Sequence, residues 1–333
     1  MGDTRDLYIA VDLGAGSGRV MLGGLADGEL LLSEIRRFHY PMEKRDGHLR
    51  WPFAHILAEM KTGLKEAGVA ARALGRPIRS IGIDTWGVDY GLIDQAGQLV
   101  EDPICYRDDR NPPAMEAVLA RHGREHLFAR TGIQFLVFNT IFQLWAHVKE
   151  GLPARAHKLL MIPDLLGHAL TGRVAIEYSN ASTTQLLDPN TRTWDRALVE
   201  EVGLPMSLLP EVVPSGTDLG PLLPGVARAL ELGDVRVVAP ATHDTGSAVA
   251  GAPLLPGWGY ISSGTWSLVG VELGQPLVNA EVGRENFTNE GGAYGTIRFL
   301  KNVMGLWLLE RCRAEWKDAG LGVDYERLLG EAA

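Results

Sequence analysis

Two glycine- and hydroxyl-rich hairpin signals lie far apart in this chain, and they constrain its fold more than any other feature. The first runs Val11-Asp12-Leu13-Gly14-Ala15-Gly16-Ser17-Gly18-Arg19-Val20; the second runs Ile261-Ser262-Ser263-Gly264-Thr265-Trp266-Ser267-Leu268-Val269-Gly270. Each sets small residues at a turn between two apolar, strand-like runs. Made twice, once per lobe, this is the pattern of a hairpin that grips phosphate. Between them, Thr242-His243-Asp244-Thr245 offers a carboxylate able to act as a base. Two phosphate loops with an acid between them predict phosphoryl transfer in a cleft.

The length, 333 residues, predicts two domains at about 100–200 residues each. We place the boundary near Leu254, with a larger lobe over 1–254 and the start of a second over 255–333. A formal net charge of -9 and the lack of any run of five Lys or Arg argue against nucleic acid or an anionic membrane as partner. An anionic ligand stays open, because backbone N–H groups hold phosphate inside an acidic protein. The two cysteines, Cys105 and Cys312, read as ordinary buried thiols of a cytoplasmic protein. The polar start, Met1-Gly2-Asp3-Thr4-Arg5-Asp6, has no signal-peptide pattern, and no apolar run approaches the roughly 18–20 residues of a membrane helix.

Along the chain, Leu7 to Leu13, Val20 to Leu25 and Leu30 to His39 read as an antiparallel meander. Ala54 to Leu74 reads as a helix with Leu57, Met60, Leu64 and Ala67 on one face. Ser80 to Thr85 is a central strand that Gly91 to Asp94 continues, giving α/β layers rather than a plain dinucleotide-binding unit. Residues 112–150 are helical with a break at Thr131-Gly132. Pro210 to Leu223 is loop, Val235 to Ala239 a strand, and Asp244 to Gly251 begins a helix.

Each candidate residue has a plain structural reading beside the chemical one. Asp12 can orient Mg²⁺ against phosphates, Gly14, Gly16 and Gly18 permit close backbone approach, Ser17 adds a donor, and Arg19 meets phosphate or pairs with an acid. Asp244 is either a helix cap or the group that takes a substrate hydroxyl's proton, for which a carboxylate suffices in a loose phosphoryl transfer. His243 contacts the substrate or orients Asp244. Asp84-Thr85-Trp86-Gly87-Val88-Asp89 sets acids and an aromatic at a strand end, suited to a sugar or to plain packing. Arg107 is a candidate polyol or phosphate contact, whereas Asp108, Asp109 and Arg110 read as a solvated charge cluster. Trp194, Trp258 and Trp307 read as core. His122 and His126 lack the H-E-x-x-H arrangement of a zinc site. No G-x-x-x-x-G-K-[ST], H-R-D or D-F-G occurs.

The segments D-L-G-A-G-S-G-R, I-G-I-D-T-W-G-V-D, A-T-H-D-T-G-S-A-V and S-S-G-T-W-S-L together resemble the FGGY carbohydrate kinases, which share the actin/Hsp70/hexokinase-like ATPase (ribonuclease H-like) α/β fold. Phe287-Thr288-Asn289-Glu290-Gly291-Gly292 and Leu300 to Glu310 extend the resemblance over the whole chain in the same order. It implies ATP- and Mg²⁺-dependent phosphorylation of L-rhamnulose at its 1-hydroxyl by a cytoplasmic monomer or homodimer. The alternatives are a kinase for L-fuculose or a pentulose, a non-catalytic sugar-binding protein, or an Hsp70- or actin-like ATPase. It further implies Asp244 as proton acceptor; Gly87, His243, Thr245 and Asn302 as substrate contacts; Ala15, Gly16, Ser17, Gly18, Arg19 and Thr265 as ATP contacts; and Glu310 at an ATP position more usually held by glutamine. The family continues past Ala333 with a glycine-rich adenosine-binding segment, so the second lobe is expected to be incomplete.

Overall fold

The computed structural model describes residues 6–26, 28–255, 257–264, 266–321 and 324–332. Strands β1 (Leu7–Leu13), β2 (Ser17–Ala26) and β3 (Glu29–His39) form the expected meander. β4 (Ile78–Thr85), β5 (Asp218–Pro221) and β6 (Arg236–Val238) complete a six-stranded sheet in the order β5-β6-β4-β1-β2-β3. β4 runs parallel to both β1 and β6, while the other neighbours are antiparallel. The period-2 alternation of β1 buries Leu7, Ile9, Val11 and Leu13. It therefore turns Asp12 to the opposite face, where the register sets it beside Asp84 of β4.

Helix Phe53–Ala73 covers the meander with a stripe of Phe53, Ile56, Met60, Leu64, Ala67 and Ala71. That spacing is the apolar face of a 3.6-residue period. Pro52 precedes its first turn, and Gly75, at φ 64, lets the chain reverse beyond its end. Gly63 lies on the same face, and a Cβ there would sit 2.5 Å from Val20 Cγ2 and 2.9 Å from Val20 Cβ. Helix and sheet thus approach as closely as a bare backbone allows.

The polypeptide leaves the sheet earlier than the sequence pattern predicts. Val88 adopts φ 70 and turns the chain, so Tyr90–Ile93 pairs with Lys158–Met161 in a separate two-stranded unit instead of continuing β4. The stretch expected as loop contains β5, whose antiparallel pairing with β6 closes the sheet edge, and helix Pro224–Leu230 follows it. Helices Asn111–His122, Arg124–Thr131 and Thr140–Glu150 fill the predicted helical region, and Gly132, in the left-handed conformation, makes the break.

A second, four-stranded antiparallel sheet is built from β7 (Gly259–Ser263), β8 (Trp266–Leu273), β9 (Thr288–Gly291) and β10 (Ile297–Met304), in the order β7-β8-β10-β9. Val249, Tyr260, Leu268 and Leu300 form its small core, with Leu254 packed against it. Three sequence expectations are corrected by burial: Cys312 is exposed while Cys105 is buried; Trp258 and Trp307 are exposed; and Asp108 and Arg110 are buried rather than solvated, Asp108 accepting from the Leu49 N–H at 2.7 Å.

Gly63→Ala is expected to destabilise the protein although Ala favours helix by about 1 kcal/mol. The overpacking cost against the β-branched Val20, about 1–3 kcal/mol, exceeds that gain. Urea unfolding should show a lowered midpoint; an unchanged or raised one would remove the close-approach argument.

Candidate active site

The floor of the site follows from sheet register. Asp12 and Asp84 stand side by side near the carboxyl ends of two parallel central strands, the end where open α/β sheets collect ligands. Burial, then the negative charges of Asp12 and Asp244, hold the Asp84 carboxyl well above the usual carboxylate range, with a Ser247 hydrogen bond opposing the shift. Asp12 is partly exposed and pairs with Arg19, whose Nε donates to it at 2.9 Å. Three carboxylates thus crowd one space, an arrangement that a divalent cation would stabilise.

The first hairpin bends over this floor. The Gly14 N–H donates to Ser17 O at 2.9 Å and the Gly16 N–H to Gly14 O at 2.8 Å. Gly16 has φ 142, accessible to glycine and strained for other residues. The Tyr40 hydroxyl donates to the Gly14 and Ser17 carbonyls, at 2.6 and 2.9 Å, clamping the turn from below. Two of the backbone donors expected for phosphate are therefore spent inside the turn. The Ala15 N–H, the Ser17 hydroxyl and Arg19 are what the loop can offer. Gly18 lies under the hairpin, where a Cβ would run into Leu13 and Phe38, so packing there requires glycine.

The turn that carries the acid is held by a buried carboxylate that sequence reasoning missed. Glu177 Oε2 accepts from the Thr242 N–H and hydroxyl, both at 2.9 Å, and from the Ser179 N–H and hydroxyl, while Oε1 accepts from the Ser215 hydroxyl. Ser179 Oγ in turn accepts from the His243 N–H at 3.1 Å. Thr85 and His243 form a parallel bridge that places the turn next to the end of β4. Asp244 then opens helix Asp244–Gly251, and its carboxylate accepts from the Thr245 N–H at 2.6 Å. Burial raises the Asp244 carboxyl above its ordinary value; His243 and the Thr245 N–H oppose this, and Asp12 adds to it. Its side chain keeps 31% of its surface exposed, so the group is both accessible and a stronger base than a solvated aspartate.

The second sheet closes the site from the other side. Glu290 and Arg298 are register partners on β9 and β10. Arg298 is fully buried, and its guanidinium reaches Glu290 Oε2 at 3.1 Å, Thr245 Oγ1 at 2.6 Å, His243 Nδ1 at 2.9 Å and Gly291 O at 2.9 Å. Burial alone would raise the Glu290 carboxyl, but the Arg298 charge and the Asn302 amide beside it lower it. Asn302 donates through Nδ2 to Gln134 Oε1 at 3.0 Å and to Glu290 Oε1 at 3.4 Å, joining β10 to the helical region.

Gly87 lies close against the imidazole: a Cβ there would stand 3.0 Å from Thr183 Cγ2 and 3.3 Å from His243 Nε2. Its strained neighbour Val88 is held by the Thr183 hydroxyl on its N–H, and by Thr140 and Gln143 on its carbonyl. A β-branched residue at positive φ costs about 1–3 kcal/mol, which these bonds offset. Just behind, Asp89 accepts from the indole N–H groups of Trp51 and Trp86 at 2.6 and 3.0 Å, and burial pushes its carboxyl up to about 6. The tryptophan of the D-T-W-G-V-D segment is thus packed rather than offered to a ligand. A cleft of about 240 Å³ opens between the lobes beside Tyr106, Arg107, Phe138, Trp266, Met304 and Trp307. Asn302 and Met304 share a face of β10, so this cleft lies one strand repeat beyond Asn302.

The structure thus brings Asp12, Gly87, His243, Asp244, Thr245 and Asn302 together. Thr265 lies outside the described residues; its neighbour Gly264 accepts from the Leu306 N–H at 2.8 Å. Glu310 sits on helix Trp307–Asp318, which buries none of its residues, and pairs there with Arg313 and the Tyr325 hydroxyl. Among the described residues, no cluster of three or more His, Cys, Asp or Glu is arranged to hold a metal ion by itself. No helix among them is long and apolar enough to cross a membrane.

The N-terminal domain of the FGGY family of carbohydrate kinases matches residues 7–251, and its C-terminal domain matches residues 259–333. This chain belongs to the FGGY family. The rhamnulokinase of Enterococcus faecalis is 46% identical over 305 residues, covering 91% of this chain and 61% of that protein. The rhamnulokinases of Ligilactobacillus salivarius and Bacteroides thetaiotaomicron are each 44% identical, covering 97% and 98% of this chain and 66% of their own lengths. The chain therefore spans about three-fifths to two-thirds of the curated relatives it matches. Among solved structures, gluconate kinase from Lactobacillus acidophilus superposes with a TM-score of 0.81 at 15% identity, over 92% of this chain and 62% of that one. Plasmodium falciparum glycerol kinase with ADP gives 0.77 at 16%, over 94% and 64%. The fold is the two-domain, actin- and hexokinase-like ATPase architecture expected from the sequence.

Glu290 sets a pH dependence. Its carboxyl is held below its ordinary 4.5 when folded, so its stabilising contribution is full above about 4.5 and is lost as pH falls through the lowered folded value. Glu290→Gln should cost on the order of 3 kcal/mol at pH 6. The gap to the parent should shrink steadily in denaturant titrations as pH falls through that window. A gap independent of pH would refute the ion-pair origin of the shift.

Proposed function

We propose that this chain carries the ketose-binding and proton-accepting half of a sugar kinase that phosphorylates L-rhamnulose at its 1-hydroxyl, using ATP as donor. The observation that carries the reading is the placement of Asp244. It is an accessible, basic carboxylate between two hydrogen-bonding side chains, facing the acidic floor under the first hairpin. The substrate choice rests on relatives named rhamnulokinase at 41–47% identity.

In this mechanism the ketose lies against Gly87, His243, Thr245 and Asn302, with its 1-hydroxyl directed at Asp244. The hydroxyl oxygen forms a bond to the γ-phosphorus of ATP as the bond from that phosphorus to the β,γ-bridging oxygen breaks. The hydroxyl proton passes to Asp244, and ADP leaves with the electron pair. Because charge on the attacking oxygen stays small in a loose transition state, a carboxylate base is adequate. Ala15, Ser17 and Arg19 hold phosphate oxygens from the first hairpin, with Thr265 assigned to the second and Glu310 to the ATP side. Asp12, with Asp84 beside it, supplies the one or two carboxylates through which Mg²⁺ is normally held. Bound there, the ion would neutralise phosphate charge and relieve the repulsion among Asp12, Asp84 and Asp244.

Calorimetry on this chain with L-rhamnulose, L-fuculose, L-ribulose, D-xylulose and glycerol is the direct test. Selective binding of L-rhamnulose is expected. Tighter binding of another ketose would reassign the substrate, and no binding by folded protein would reject the sugar site. Asp244→Asn should keep ketose affinity within a few-fold while lowering phosphoryl transfer from Mg-ATP by about 10²–10⁴-fold; near-parental turnover would remove Asp244 as the base. Gly87→Ala, which crowds His243 Nε2 and the buried Thr183, should weaken ketose binding about tenfold or more and lower the unfolding midpoint slightly. Unaltered affinity would show that the ligand does not use that space.

A further inference from the structure

The guanidinium of Arg298 belongs to the second sheet, yet two of its three nitrogens end on the residues flanking Asp244. Arginine is only a donor, so each contact dictates the role of the atom it meets. One terminal nitrogen lies 2.9 Å from His243 Nδ1. A proton on Nδ1 would set two N–H donors against each other at that distance, so Nδ1 must present its lone pair. The neutral ring then carries its proton on Nε2.

The alternative arrangement is Nδ1–H donating to Glu290, whose Oε2 is 3.3 Å away. The hydrogen-bond inventory decides against it. The same Arg298 nitrogen has two hydrogens and two acceptors in reach, His243 Nδ1 at 2.9 Å and Glu290 Oε2 at 3.1 Å. Protonating Nδ1 would strand one of those hydrogens in a site where Arg298 has no exposed surface, and a buried charged donor left without an acceptor is costly. The far side of the ring agrees. Nε2 faces two acceptors, Asp244 Oδ1 and Thr245 Oγ1, each at 3.5 Å. The other terminal nitrogen donates to Thr245 Oγ1 at 2.6 Å, so that hydroxyl already accepts one bond and turns its own hydrogen outward.

We propose that Arg298 is a positioning residue that holds His243 as the Nε2–H tautomer and makes Thr245 a hydroxyl donor, so that the two neighbours of Asp244 donate and Asp244 accepts. The roles of the triplet are thereby separated. His243 binds a ligand oxygen through Nε2–H and has no lone pair on that side to take the proton; Asp244 takes it. The charged and titratable groups facing the imidazole are Arg298, Glu290 and Asp244, and Glu290 serves the arrangement by holding Arg298. The tautomer stands on geometry alone, while assigning the two donors to sugar hydroxyls rests on the ketose-kinase reading.

Long-range ¹H–¹⁵N correlation spectra of the full chain with ¹⁵N-labelled histidine test this, the His243 signals being assigned by their loss in His243→Asn. At pH 7 without ligand, we expect an unprotonated Nδ1 and a protonated Nε2. A proton on Nδ1, or a doubly protonated ring, overturns the proposal from the parent spectrum alone. In Arg298→Met the proton should move to Nδ1, toward Glu290, or the ring should take up a second one. Persistence of the Nε2–H form there would show that Arg298 does not set it. Calorimetry with L-rhamnulose on the same samples separates the two readings. An Nε2–H ring in a chain that binds no ketose upholds the tautomer and defeats the function, whereas an Nδ1–H ring in a chain that binds ketose does the reverse.

Discussion

The ion pair between Arg298 and Glu290 is the contact on which the site depends. Both groups have left water, and such a pair gains little net stability over well-packed apolar residues. Its return is geometric. Through the Arg298 guanidinium the second sheet grips His243 and Thr245, and through the second oxygen of Glu290 it reaches Asn302 and then Gln134. A pair of buried charges has few ways to satisfy itself, so the relative placement of turn and sheet is specified more narrowly than apolar packing would allow.

The opposite wall follows the same logic with a lone carboxylate. Glu177 collects donors from Thr242, Ser179 and Ser215, which pins the backbone just before His243. Asp89 does likewise for the two tryptophans behind Gly87. The chain thus uses three buried acids as fasteners: Glu177, Asp89 and Glu290. It leaves three others, Asp12, Asp84 and Asp244, to share one space, in which Asp12 raises the cost of ionising both Asp84 and Asp244. Mutual repulsion of that kind is tolerated where a cation or a proton transfer is to be accommodated.

Much of this was legible in the amino-acid sequence, and the parts that were not have definite causes. Strand alternation and the glycine turn at residues 14–18 identify the meander, and the T-H-D-T segment at the start of a helix identifies Asp244. The departure of residues 90–93 from the main sheet was not legible, because it turns on a positive φ at Val88 that no local propensity predicts. Its hydrogen-bond partners, Thr140, Gln143 and Thr183, lie some fifty to a hundred residues away. Arg298 and Glu177 were missed because a lone charged residue in a sequence reads as surface. The one available signal was the Glu290–Arg298 pairing across a short hairpin, which requires knowing the register.

By itself the sequence determined the family, the element types, and the chemical identity of the groups available: three acids near strand ends, a histidine beside one of them, and two glycine-rich turns. These depend on local periodicity and on residue chemistry. Tertiary structure alone decided which acids fasten and which are left to share one space, and which nitrogen of His243 bears the proton. That division depends on burial and on donors contributed from distant segments, and a carboxylate or an imidazole has no fixed role until its partners are in place.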